Sequence, residues 1–194
     1  MNIRFLYSRL KNLIVKPERA WEIINRESRP LSYMQASYFF PMITLASLAA
    51  LTGSLLFIHG GLTYVYPIFL GVRYFLFFLL LTYLTAFVFN EATSAMDLGK
   101  DFTRAFKVIG FSMAPLFICM TVSLLFESLL FINLLALYGL YLFWCGVEEM
   151  VAPPEHKRIP LMVSSVVAFA ILYILIHWVL NKVILDIIYF NLFR

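Results

Sequence analysis

Charge is what this sequence is most short of: only 13% of its 194 residues are Asp, Glu, Lys or Arg, against about 25% in an ordinary soluble domain. Cysteine is nearly absent. Cys119 and Cys145 both fall inside apolar runs without a CxxC spacing, which argues against a disulfide framework and a thiolate zinc site. The loop 91–106 holds Asp97, Gly99 and Asp101 but no Gly-rich phosphate motif and no P-loop lysine, so nucleotide chemistry is not expected. No apolar stretch of leader length precedes Arg4, Arg9, Lys11 and Lys16, so no cleavable signal peptide is expected.

What is present is apolar: 62% of residues are hydrophobic and 18% aromatic. Uncharged runs of this length cannot all be buried in one small soluble core, so the chain reads as one membrane domain. The net charge of +4 does not point to nucleic acid. The Lys and Arg residues sit beside hydrophobic runs, where they orient spans, and are not interleaved with a groove-reading element.

Residues 1–32 form the long polar stretch. Ile3, Leu6, Leu10, Leu13 and Ile14 recur at helical spacing opposite Arg4, Arg9 and Lys11, the pattern of an amphipathic interfacial helix. Lys16-Pro17 breaks it, and Pro17 suits the first turn of a second short helix with Trp21 and Ile24 on its apolar face. That face suits lipid headgroups or a soluble partner. Arg4, Arg9, Lys11, Lys16 and Trp21 are the expected membrane-surface contacts.

Tyr33 to Ile58 is free of Asp, Glu, Lys and Arg for 26 residues, about 39 Å of helix where about 30 Å suffices. Pro41 is expected to kink it, and Ala46, Ala50 and Ser54, with Ala49 and Gly53, offer a close-packing face. After the turn signal His59-Gly60-Gly61, further spans are read at 67–90, 106–126, 134–149 and 159–181, with a tight hairpin around Glu127 to Asn133. Residues 182–194 are then an apolar tail. The expectation is an all-α integral membrane fold: a five-helix transmembrane bundle (33–181) preceded by an N-terminal amphipathic segment.

Twelve Lys and Arg flank the spans on the N-terminal side and three on the other. The positive-inside rule therefore predicts a cell-membrane protein with its N-terminus inside and its C-terminus outside.

The polar residues expected to carry function gather at the inner ends of helices: Glu91, Asp97, Glu148, Glu149 and His156. Glu91, Glu148 and Glu149 sit at helix C-termini, where the exposed carbonyls disfavour anions by about 0.3–1 kcal/mol each. Cations from residues 4–29, or Lys100, Arg104 and Lys107, would answer them in a salt-bridged cap. A divalent metal held by Glu148, Glu149 and His156, with Glu91 or Asp97, is the sharper reading, but no spacing here has the specificity of HExxH. Ser112 in Gly110-Phe-Ser112-Met-Ala114 and His177 sit at different depths, which argues against an intramembrane serine hydrolase; Ser112 is expected to bond its own helix backbone ahead of Pro115.

Lys16-Pro17 followed by Trp21-Glu22-Ile23-Ile24, then Phe106-Lys-Val-Ile-Gly-Phe-Ser-Met-Ala-Pro115 and Leu137-Tyr-Gly-Leu-Tyr141, in that order, resemble the Yip family of small polytopic membrane proteins, Ypt/Rab-interacting in eukaryotes and with bacterial relatives. The N-terminal region is shorter than in the GTPase-binding members, which favours a bacterial-type form. The resemblance implies a non-enzymatic protein that organises partner proteins or lipids, with homo-oligomers among its options and no cofactor. The alternative is a small transporter or lipid-handling protein using the inner carboxylates. A membrane-embedded enzyme has least support, since no nucleophile, base and orienter fall at one depth.

Overall fold

In a bilayer every backbone N–H and C=O must find a partner within the protein, and a chain this apolar meets that demand with helices. The structure, a computed structural model, describes residues 3–27, 29–57 and 65–192, without the side chains of residues 3–5, 65, 127 and 184–192. The Arg4 side chain and the turn expected at His59-Gly60-Gly61 lie outside the described residues.

The elements are α1 (Ile3–Val15), α2 (Pro17–Arg26), α3 (Leu31–Met34), a π-helical turn (Gln35–Phe39), α4 (Phe40–Phe57), α5 (Val65–Ala95), α6 (Phe102–Ser112), α7 (Ala114–Leu125), a 3-10 segment (Glu127–Leu137), α8 (Tyr138–Met150) and α9 (Glu155–Leu192). The protein is an all-α membrane bundle. Leu31–Phe57, Tyr66–Ala95, Ser128–Met150 and Glu155–Val183 are each long and apolar enough to cross, and the bent pair α6 and α7 makes a fifth candidate if the two helices form one span.

Proline explains the irregular places. Pro41 has no N–H to give its helix, and the chain widens into the π-helical turn just before it, where the Phe40 N–H reaches back to the Gln35 carbonyl. A π-bulge in this position accommodates the lost bond without ending the span. Pro115 removes the bond that would join α7 to the Phe111 carbonyl, and α6 and α7 meet at 43°. Pro160 lies near the start of α9 and leaves it continuous.

Sequence boundaries and observed helices differ where polar residues continue a helix. α5 runs on to Ala95, and α9 starts at Glu155 and continues through the residues read as a separate tail, as far as Leu192. The turn between the third and fourth spans falls at Phe126, in extended conformation. From there the chain returns along α7 as the 3-10 segment, with Ser123 Oγ donating to Asn133 Oδ1 at 3.1 Å.

α5 is the hub of the packing, touching α4, α6 and α9, while α7 packs on α4. The shared core is aromatic. Phe39 meets Phe106 at 5.3 Å and Phe117 at 6.2 Å between centroids, and Phe78 meets Phe117 at 5.4 Å. Ala46, Ala49, Ala50, Gly53 and Ser54 are all buried. A Cβ on Gly53 would collide with the Leu124 carbonyl of α7, which is the close approach that small residues permit. α9 leans on α5 and leaves Val163, Val167, Ile171 and Ile174 exposed, as a lipid-facing helix should.

Candidate functional site at the basic end of the bundle

α1 and α2 belong to the folded body. On α1, Leu6, Arg9 and Leu13 fall on one face at spacings of three and four, and all three are buried. Arg9 is therefore on the inward face, and its guanidinium is held by Glu27, donating to Oε1 at 2.6 Å and Oε2 at 2.7 Å. It also lies 5.9 Å from the Phe111 ring centre, within cation–π range. Glu27 gathers further cations, with Arg29 at 3.7 Å and Lys107 Nζ donating to its backbone carbonyl at 3.2 Å.

α2 runs beside α8. Tyr138 donates its hydroxyl to the Ile14 carbonyl at 3.0 Å, and Asn25 Nδ2 donates to the Glu149 carbonyl and carboxylate at 3.1 Å. Between these ties sits Trp21, fully buried with Ala20 and Ile24. Its indole lies on Gly146, where a Cβ would come within 2.6 Å of the ring, and meets Phe111 edge-on at 6.1 Å. Gly146 thus provides the slot that a large side chain needs.

These contacts correct the expectation for two residues. Arg9 and Trp21 do not meet the membrane surface; both are enclosed by protein, because the inward faces of α1 and α2 find α6 and α8 before they find lipid. Lys11 and Lys16 are exposed. Together with Arg19 they border a groove of about 370 Å³ between α1 and α2, floored by Val15, Ala20 and Ile23. No ion pair joins these three cations to any described residue.

The acidic residues are individually answered. Glu91 meets Lys100 at 2.6 Å, Glu148 meets Arg158 at 2.9 Å, and Asp97 lies 3.9 Å from Lys157, whose Nζ donates to the Met96 carbonyl at 2.7 Å. Arg104 stays with Asp101, which caps α6 by accepting from the Arg104 N–H at 3.1 Å. His156 is exposed. Glu148 and Glu149 turn to different partners, and among the described residues no three His, Cys, Asp or Glu side chains converge as a metal site would require.

Ser112 was expected to bond its own helix; instead its hydroxyl has no partner among the described residues. His177 faces Arg73 of α5, at 3.2 and 3.3 Å from its ring nitrogens, and stacks on Tyr173. Glu27 is the residue that sequence reasoning missed. Arg26 and Arg29 flank it in sequence, and no periodicity signals a partner eighteen residues back.

A family model described as the Yip1 domain matches residues 11–179. The chain belongs to the Yip family. No curated protein and no solved structure gives a match. The match begins inside α1 and ends within α9, so it takes in α2, its seat on α8 and most of the membrane bundle of this Yip-family protein.

Proposed function

We propose that this protein is a non-catalytic organiser whose basic end faces the cytoplasm and gathers acidic partners or anionic lipid headgroups. The observation that carries the reading is the division of labour in α1 and α2. One face clamps to α6 and α8 through Glu27, which holds Arg9 and Lys107, and through Trp21, while Lys11, Lys16 and Arg19 have no ion-pair partner among the described residues and border an open groove.

A clamped helix pair holds its cations at fixed positions, so a partner binding there does not have to order them first. Each exposed cation near an anionic surface contributes about 1 kcal/mol of attraction. The exposed Ile14, Val15 and Ile23 add apolar area for an amphipathic partner.

Changing Lys11, Lys16 and Arg19 together to Gln tests this. Crosslinking in membranes should lose specific protein or lipid adducts while the protein stays folded. Unchanged adducts, or none in either form, would refute the reading. A transport role finds less support, because the inner carboxylates are occupied by Lys100, Arg158 and Asn25.

A further inference from the structure

A second cavity, of about 390 Å³, lies between the bent third span, α8 and α9, with Thr85 of α5 at its back. It falls within the range of small-molecule sites, ~300–1,000 Å³. It exists because α9 leans on α5 and leaves a gap toward α8. The rim residues Leu137 and Leu140 are exposed, so the gap opens sideways, toward lipid. None of its lining residues is charged.

The wall carries two kinds of polar group, the hydroxyls of Thr85, Ser112 and Ser165 and, apart from them, Asn133 and Tyr173. α5 runs toward the basic end, and Thr85 is its lining residue; α6 with α7, and α9, run away from it, and their hydroxyls, Ser112 and Ser165, come early among the residues they contribute. Three hydroxyls thus cluster at the cavity's end nearest the basic layer. Beyond them the lining is mainly apolar, with Leu116, Met120, Val166, Phe169 and Ala170, and includes Tyr173 and Asn133, whose Oδ1 accepts from Ser123. The nine residues from Ser165 to Tyr173 give this part of the cavity a length of about 12 Å.

Ser165 is satisfied by the Leu161 carbonyl at 2.6 Å. Thr85 and Ser112 are more than nine-tenths buried, and neither hydroxyl has a hydrogen-bond partner among the described residues. In a bilayer, unpaired polar groups of this kind are costly, because no water competes to satisfy them.

We propose that this cavity is a binding site for the acyl chain of a glycerolipid, entering from the bilayer between α8 and α9. The chain fills the apolar part, and an ester or hydroxyl oxygen at the glycerol end bonds with Thr85 and Ser112 once their side chains turn toward it. The absence of any cation in the wall selects a neutral oxygen over a phosphate at this position. The site is separate from the α1–α2 groove and does not depend on the proposed role of that groove.

The test uses the full chain in nanodiscs and two probes, each with a diazirine in the acyl chain: a monoacylglycerol and a phosphatidylethanolamine. Adducts should concentrate on Leu116, Met120, Phe169 and Ala170 and be displaced by excess unlabelled lipid. Capture of both probes indicates that the glycerol ester is what is read, and capture of the monoacylglycerol alone identifies the neutral lipid. Ala170→Phe, which fills the cavity, should abolish these adducts. Thr85→Val with Ser112→Ala, which removes two unpaired hydroxyls and so preserves the fold, should weaken displacement roughly tenfold. Labelling spread over Val163, Val167 and Ile171 and indifferent to both sets of substitutions would overturn the proposal, as would water alone in the cavity.

Discussion

Arg9 and Glu27 are joined through one guanidinium nitrogen that reaches both carboxylate oxygens, at 2.6 and 2.7 Å, across eighteen residues of sequence. The pair fastens the middle of α1 to the residue that follows α2, and Lys107 ties the same residue to α6. A charge pair that is largely shielded holds more firmly than one on the open surface, because removing either partner strands the other.

Arg9→Leu or Glu27→Gln should therefore loosen α1. Charge-assisted hydrogen bonds of this kind are worth about 1.5–3 kcal/mol. Hydrogen exchange across residues 6–26 should rise in both variants, with exchange in α4 and α5 little changed. Equal protection in variant and parent would mean that α1 is held by its apolar face alone.

Trp21→Ala should cost more, about 3–5 kcal/mol, since it empties a fully enclosed site. Gly146→Val should produce a similar loss from the other side, as its Cβ would fall 2.6 Å from the indole. Thermal unfolding in detergent reads both, and combining them should cost less than the sum, because either one alone already unseats α2.

Glu91→Gln is predicted to be mild. The Glu91–Lys100 pair is close at 2.6 Å, but both side chains are well exposed, at 42% and 57%, and exposed pairs contribute about 0–1 kcal/mol. A shift in stability well beyond that range would mark Glu91 as a member of a larger polar network.

Gly53→Val should disrupt the seam between α4 and α7, where the missing side chain lets Leu124 approach. Overpacking of this sort costs roughly 1–3 kcal/mol or more, and here the neighbour is backbone, which gives way least. Near-parental stability would show that the two helices can separate without loss.

The all-α membrane bundle was legible because a bilayer imposes one rule on a sequence, long runs with little charge, of which Tyr33 to Ile58 is the clearest. Helix ends were not, because hydropathy falls off before hydrogen bonding does: Glu91 to Ala95 and Glu155 to Arg158 are polar yet continue α5 and α9. A proline break was read at Pro41, where the helix continues through a π-helical turn; the 43° bend lies at Pro115. The inward turn of Arg9 could not be read, since an arginine at that position suits headgroups until Leu6 and Leu13 beside it are seen to be buried. Glu27, flanked by arginines, carried no local sign that a distant one would claim it.

We propose that α1 and α2 are seated on the membrane bundle with their cations facing the cytosol. With Cys119 and Cys145 replaced by Ala, a single Cys at Lys16 or at Asn191 can be probed with a membrane-impermeant maleimide in right-side-out and inverted vesicles. The account predicts labelling of Lys16→Cys only in inverted vesicles and of Asn191→Cys only in right-side-out ones. Labelling of both positions from the same face would contradict it.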